Sequence, residues 1–322
     1  MSLHLALVHP TDLLASELRE ALGRRRELWR QLDLLSDQPA EIGTLTEIGG
    51  SAAMVGELDE AALEAAEIVV FGGRADHARS WLDRVPATTT VVLMAPEATP
   101  DDGHPLVAGV NLETAHRDGV MLSPHPGTVA LAHLLAPLRT FGLARVHATL
   151  LEPVSTVGKA GLDEMFDQTR AILAFADTPP REVFPTQMAF NVLPGDPEAP
   201  VAAHLKTVFG LGDLPIGVQT LKAPVFHSYG IALQFELVDD PGLAEVEQAL
   251  ETPPYLDRAV DVELLGPIDA ANRDEVLVGP VQATPGHPGS YQAWAVMDNL
   301  TCGGALNTLA ILEALSQPTL VS

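Results

Sequence analysis

The sequence predicts an α/β domain built on a doubly wound parallel sheet, joined to an α+β domain on a mixed or antiparallel sheet. Three observations predict it. Apolar runs alternate with amphipathic segments over the first 125 or so residues, the pattern of a Rossmann-like sheet. Beyond residue 128 strand-patterned runs recur with fewer helices between them, and an apolar helical segment lies near the C-terminus.

LHLALV (3–8) is a strand candidate, and Thr11 or Asp12 is placed to cap the amphipathic segment LLASELREALGRRREL by accepting from its free N–H groups. DEAALEAA (59–66) is helical in composition and leads into IVVFGG (68–73), an apolar run closed by glycines. RADHARSWLDRV (74–85) reads as a helix, and TTTVVLMAP (88–96) as a β-branched buried strand. GVMLS (119–123) is a strand entering the Pro-bounded turn of SPHPGT, with a helical pattern behind it. In the second half, 145–155, 217–226, 231–238 and 290–298 are strand-patterned, 161–175 is an amphipathic helix, and 303–317 is an apolar one expected to pack on the first domain. The expected domains are 1–127 with 300–322, and 128–299.

Composition bounds the function. A chain of 322 residues with 47% hydrophobic content and a mean hydropathy of +0.17 can bury two cores and is not a disordered one. No apolar run reaches the roughly 18 residues that span a bilayer, so no membrane segment is expected. MSLHLALVHP lacks a basic leader region and reads as a first strand; the expected location is cytoplasmic. The net charge of −25, from 43 acidic against 18 basic residues, argues against nucleic acid or an anionic membrane as partner. One cysteine, Cys302, excludes an internal disulfide and a cysteine metal cage. The 11 histidines form no HExxH or other helical ligand pair, so no metal is expected. His9, His104, His125 and His287 each precede proline, which suggests turns.

Five segments carry a resemblance. PLVAGVN (105–111), SPHPGTVALAHLLAPL (123–138), AFNVLP (189–194), LKAPVFHSYGIALQFE (221–236) and MDNLTCGGALNTLAILEAL (297–315) are similar, in order, to PLVVPEVN, NPNCTTMQLVVALKPL, AFNVIP, VRVPVFVGHSEAVNVE and DNLRKGAALNAVQIAELL of the aspartate-semialdehyde dehydrogenase family. The resemblance implies a Rossmann-like, NADP-binding-type domain, a semialdehyde-dehydrogenase-type dimerisation domain and a homodimer. Its chemistry is attack of a cysteine thiolate on an aldehyde, hydride transfer to the nicotinamide, and release of the acyl group by phosphate.

Carried over position by position, that chemistry meets replaced residues. The family's glycine turn falls on His9 to Ala15, with His9, Asp12 and Ala15 at its glycine positions. Thr11, Gly72, Gly73 and Gly303 hold the other positions implied to face a cofactor. The nucleophile position falls on Pro126, which has no nucleophilic atom. Ser123, His125 and Thr128 are the neighbours that could substitute, and Cys302 is a further candidate. The acid/base histidine falls on Tyr229, with His227 two residues earlier and on the same face if that stretch is extended. The carboxylate-binding arginine falls on Lys222, which keeps the charge without the bidentate fork, and the orienting glutamine falls on Glu152. Lys206 is the nearest candidate for the family's central acidic and basic motif. This pattern resembles the Usg-type branch of the family, whose members lack the nucleophile. The leading expectation is therefore a catalytically inactive, homodimeric scaffold or regulatory protein with no cofactor, or NADP if any. The alternatives are an NADP-dependent semialdehyde dehydrogenase and a sensor of a nucleotide or acidic metabolite, whose small-molecule ligand stays unknown.

Overall fold

The computed structural model describes residues 2–176, 178–259 and 264–317. The chain divides into two compact units, Met1–Ala132 with Ala203–Gly210 and Gly303–Ser322, and His133–Ala202 with Leu211–Cys302. The passage of 203–210 into the first unit has no counterpart in the expected division, and 318–322 of that expectation lie outside the described residues.

The first unit runs β1 (Leu3–Val8), α1 (Leu13–Arg24), β2 (Trp29–Ser36), β3 (Leu45–Ile48), β4 (Ser51–Glu57), α2 (Glu60–Ala65), β5 (Ile68–Gly72), α3 (Ala75–Leu82), β6 (Thr90–Met94), β7 (His104–Pro105) and β8 (Val120–Leu122), and α4 (Pro126–Leu135) starts within it. The strand order is β3-β4-β2-β1-β5-β6-β8-β7, parallel except for the β3–β4 hairpin. That hairpin turns through Gly49 and Gly50, both at positive φ, as a two-residue connection requires. All six residues of β1 are buried because the sheet is covered on both faces. Leu5 and Leu7 join Leu18 and Leu22 of α1 and Ile311 and Leu312, while Ala6 and Val8 join Phe71, Leu63 of α2 and Ala78 of α3. A strand buried on both faces is mostly apolar, which is why LHLALV does not alternate; its one polar residue, His4, is paired with Asp33. The chain winds one way from β1 to β2 and the other way from β1 to β5. The crevice outside the carboxyl ends of β1 and β5 is thus the switch point where open α/β sheets place ligands.

The second unit contains β9 (Leu143–Glu152), α5 (Gly158–Leu173), β10 (Leu193–Pro194), the start of α6 (Val201–Phe209), β11 (Ile216–Lys222), β12 (Tyr229–Leu237), α7 (Leu243–Glu251), β13 (Leu256–Arg258), β14 (Val276–Ala283) and β15 (Ser290–Met297), and α8 (Asn307–Ser316) follows in the first. Its sheet order is β10-β11-β9-β12-β15-β14-β13; β11 pairs with β9 and β13 with β14 in parallel, the rest antiparallel. Val146, Leu150, Ile231, Leu233, Phe235 and Ala295 point to a buried face. The intervening residues, among them His147, Gln219, Gln234, Gln282 and Gln292, are exposed, so one face of the sheet is open. The α/β plus α+β fold class expected from the sequence is the one observed. Among the described residues no helix is long and apolar enough to cross a membrane.

Candidate functional site

At the carboxyl end of β1 the backbone of His9 takes φ 54, a left-handed conformation that suits glycine and strains a side-chain-bearing residue by about 1 kcal/mol. A glycine would hold this conformation without that strain. The His9 ring is buried and lies over Gly73, with Nδ1 3.4 Å from where a Cβ on that glycine would stand. Gly72 packs so tightly on Ala15 that an added Cβ would sit 2.9 Å from the alanine methyl. Asp12 caps α1 by accepting from the Leu14 N–H at 3.1 Å, and Thr11 at the rim donates to Glu41. Burial raises the Asp12 carboxyl, against the Leu14 and Ala15 amides and nearby His9, which pull it down.

Two elements complete the crevice. Asp37 follows β2, and His77 lies in the first turn of α3. His9 Nε2 is 3.0 Å from Asp37 Oδ1, His77 Nε2 is 2.6 Å from Oδ2, and Trp81 Nε1 donates to Oδ2 at 3.2 Å. The two imidazole centroids are 4.2 Å apart. Burial acts to raise the Asp37 carboxyl, but the hydrogen bonds from His77, His9 and Trp81 outweigh it and hold it at about 2. The sequence showed no metal-ligand set because its members are 28 and 40 residues apart; only the parallel strand order joins them.

These residues do not fit a dinucleotide in the implied pose. An imidazole lies where a pyrophosphate needs bare backbone, and the α1 N–H of Leu14 is already taken by a carboxylate. An anion facing that carboxylate is repelled by at least on the order of 1 kcal/mol. Gly303 is buried in the π-helical turn Thr301–Leu306.

The turn after β8 is polar and closed. Ser123 is buried, its N–H donates to Leu93, and its Oγ accepts from Asn307 Nδ2 at 3.0 Å. His125 Nδ1 accepts from the Gly127 N–H at 3.0 Å. Pro126 opens α4, where its missing N–H costs nothing and its φ is already helical. Proline here is a helix starter at the position implied for a nucleophile. Thr128 Oγ1 lies 3.3 Å from Nδ1 of His204, a fully buried histidine on α6 that no motif or spacing marks out. Burial, with His125 adding to it, pushes the His204 imidazole down to about 4; the Ala98 backbone and Asp102 act the other way. Lys206 follows on the same helix, partly exposed.

In the second unit the parallel register sets Lys222 beside Glu152. Lys222 Nζ donates to Glu152 Oε2 and to Thr156 Oγ1, both at 2.9 Å, and the Tyr229 hydroxyl donates to Glu152 Oε1 at 3.4 Å. The three residues thus meet, but the ammonium charge is spent on Glu152 rather than held for a substrate carboxylate. Burial and the neighbouring carboxylate push the Tyr229 phenol well above its usual range, so it is a fixed donor near neutral pH. His227 departs from the same-face expectation. It is exposed and precedes β12, and Ser228 between it and Tyr229 has φ 71, which breaks strand alternation. Cys302 is 3% exposed. Burial, then Asp298, Asp274 and Glu275, raises its thiol far above the ordinary range.

The chain is 26% identical to an aspartate-semialdehyde dehydrogenase of Rickettsia bellii over 85% of this chain and 86% of that protein. It is 29% identical to a USG-1 protein homologue of Azotobacter vinelandii over 98% of each. A crystal structure of aspartate semialdehyde dehydrogenase II from Vibrio cholerae, complexed with ASA, has the same fold, with a TM-score of 0.89 and 23% identity over 98% of both chains. Residues 135–302 match the model of the semialdehyde dehydrogenase dimerisation domain, more than half of the chain, and the chain belongs to the aspartate-semialdehyde dehydrogenase family.

Proposed function

We propose that this chain is a homodimeric family member that does not perform thiolate acylation and acts as a scaffold or regulatory protein. One observation carries the reading: its single cysteine is buried beside carboxylates and held as a thiol, whereas the thiolate is the attacking species. Pro126 as a helix starter and Lys222 neutralised by Glu152 support it. Purified protein given aspartate semialdehyde, NADP and phosphate or arsenate should form no NADPH above the rate of its Cys302→Ser variant. The names of relatives favour a second reading, an NADP-dependent aspartate-semialdehyde dehydrogenase. Phosphate-dependent NADPH formation abolished by one point substitution would establish that reading and remove the first.

The open sheet face supports the homodimer. Every strand from β9 to β15 falls within the matched dimerisation domain. A hollow of about 550 Å³ is lined there by His147, Thr149, Gln219, Gln234, Gln292 and Trp294. Glutamine amides donate and accept, so such a face can meet a copy of itself across a two-fold axis. Gln234 and Gln292 are direct cross-strand partners. Replacing both by Asp sets like charges against each other and should weaken the dimer by at least about 100-fold, read by sedimentation with far-UV circular dichroism unchanged. A variant that stays dimeric at every concentration places the interface elsewhere.

A further inference from the structure

We propose that His9, Asp37 and His77 bind one divalent transition ion of zinc-like ligand preference, in the crevice at the carboxyl ends of β1, β2 and β5. The inference rests on the chemistry of these three residues and stands whether or not the chain turns over a substrate.

One donor atom from each residue lies within 4.8 Å of the other two. Two imidazoles and one carboxylate suit zinc, cobalt, nickel or iron; calcium and magnesium prefer oxygen donors alone. Three protein ligands leave room for water or an exogenous ligand. The donors are already aimed at one another through the Asp37 bridge. An ion would take the place of the proton between each Nε2 and the carboxylate, with each neutral imidazole carrying its proton on Nδ1 instead.

Three further features support a ligand site over a plain structural bridge. Trp81 Nε1 orients the Asp37 carboxylate from the side, as outer partners of metal ligands do. The His9 backbone holds a strained φ of 54, and such strain gathers at ligand clamps. The surroundings are also acidic: Asp12 feels both His9 and Glu97, and Glu41 meets Thr11, so a cation is favoured where a dinucleotide is repelled. His77 Nδ1, buried with no hydrogen-bond partner among the described residues, sets a limit. Lack of an outer partner lowers metal affinity by about 10–100-fold, so this ion exchanges and is not a permanent structural one.

The test is a cobalt titration of the full chain, freed of metal by chelation, followed by visible absorption. One Co²⁺ per chain should develop ligand-field bands, Zn²⁺ should displace it, and millimolar Mg²⁺ should not. Asp37→Asn and His77→Ala should each weaken binding by at least about tenfold. His9→Gly removes a ligand while relieving the positive φ, and an unchanged far-UV circular dichroism spectrum separates its loss of binding from misfolding. Binding that changes less than twofold across the three variants puts the ion elsewhere on the acidic surface and overturns the proposal. So does the absence of ligand-field bands at a large excess of cobalt.

Discussion

Replacing Lys222 by Met is expected to destabilise the second unit by about 3 kcal/mol, seen as a fall in Tm of roughly 6 °C or more. Glu152 is 3% exposed and ends β9, where Lys222 Nζ donates to Oε2 at 2.9 Å. Taking away the ammonium removes its attraction for a carboxylate in a low-dielectric place, and breaking a buried pair typically costs about 3–5 kcal/mol. The lower end applies because the Lys222 side chain is 22% exposed and solvent screens part of the attraction. Adding Glu152→Gln to the same variant removes the buried negative charge, and Tyr229 can still donate to the amide oxygen. The double variant should therefore return to within about 1 kcal/mol of the parent. Additive losses in the two single variants would show that the pair is not the interacting unit. The same cycle separates a structural pair from a substrate clamp, because a clamp would have to present an unneutralised cation.

How much of this could be read in the sequence depended on how local the cause was. β1, β5 and β6 stand out as apolar runs because both their faces are covered, so burial alone marks them. β2 does not, because Arg30 and Gln31 at its start are exposed and its apolar half is short. α6 has nine residues behind a Pro-rich loop, and its part in the first unit follows from tertiary packing that no local pattern records. Glu152, Lys222 and Tyr229 stand out because the family resemblance singles out all three; the parallel β9–β11 register sets Lys222 beside Glu152, and the antiparallel β9–β12 register brings in Tyr229 from the start of its strand. His227 failed as a neighbour of Tyr229 because one residue at positive φ undoes a period-two argument. The His9–Asp37–His77 cluster was hidden most deeply. His9 follows β1, Asp37 follows β2 and His77 lies in α3, and no two of them share a helical or strand spacing. Only His9 on a glycine position gave a signal, and it pointed to a lost cofactor contact instead of a gained cation site.

His204 should make stability depend on pH in a window of its own. Its imidazole titrates near 4 in the fold and near 6.5 when unfolded, so the native state refuses a proton that the unfolded chain accepts. A basic group whose folded value is depressed stabilises above the unfolded value, and that stability is lost as pH falls from about 6.5 towards 4. A gap of about 2.5 units corresponds to roughly 3 kcal/mol. His204→Asn keeps a polar atom for Thr128 and cannot titrate in this range. It will be less stable than the parent at pH 8, where a buried ring has been traded for a smaller amide, by about 1–3 kcal/mol. By pH 4 the variant should have gained on the parent by roughly 3 kcal/mol, so the two urea-unfolding profiles converge or cross. Asp37 and Asp102, both held at about 2, lose their contribution only below their unfolded value near 3.9. They are common to both proteins and cannot mimic the effect. Parallel profiles from pH 8 to 4 would mean that His204 is hydrated or paired well enough to protonate in place, and desolvation as the cause of its lowered value would have to be abandoned.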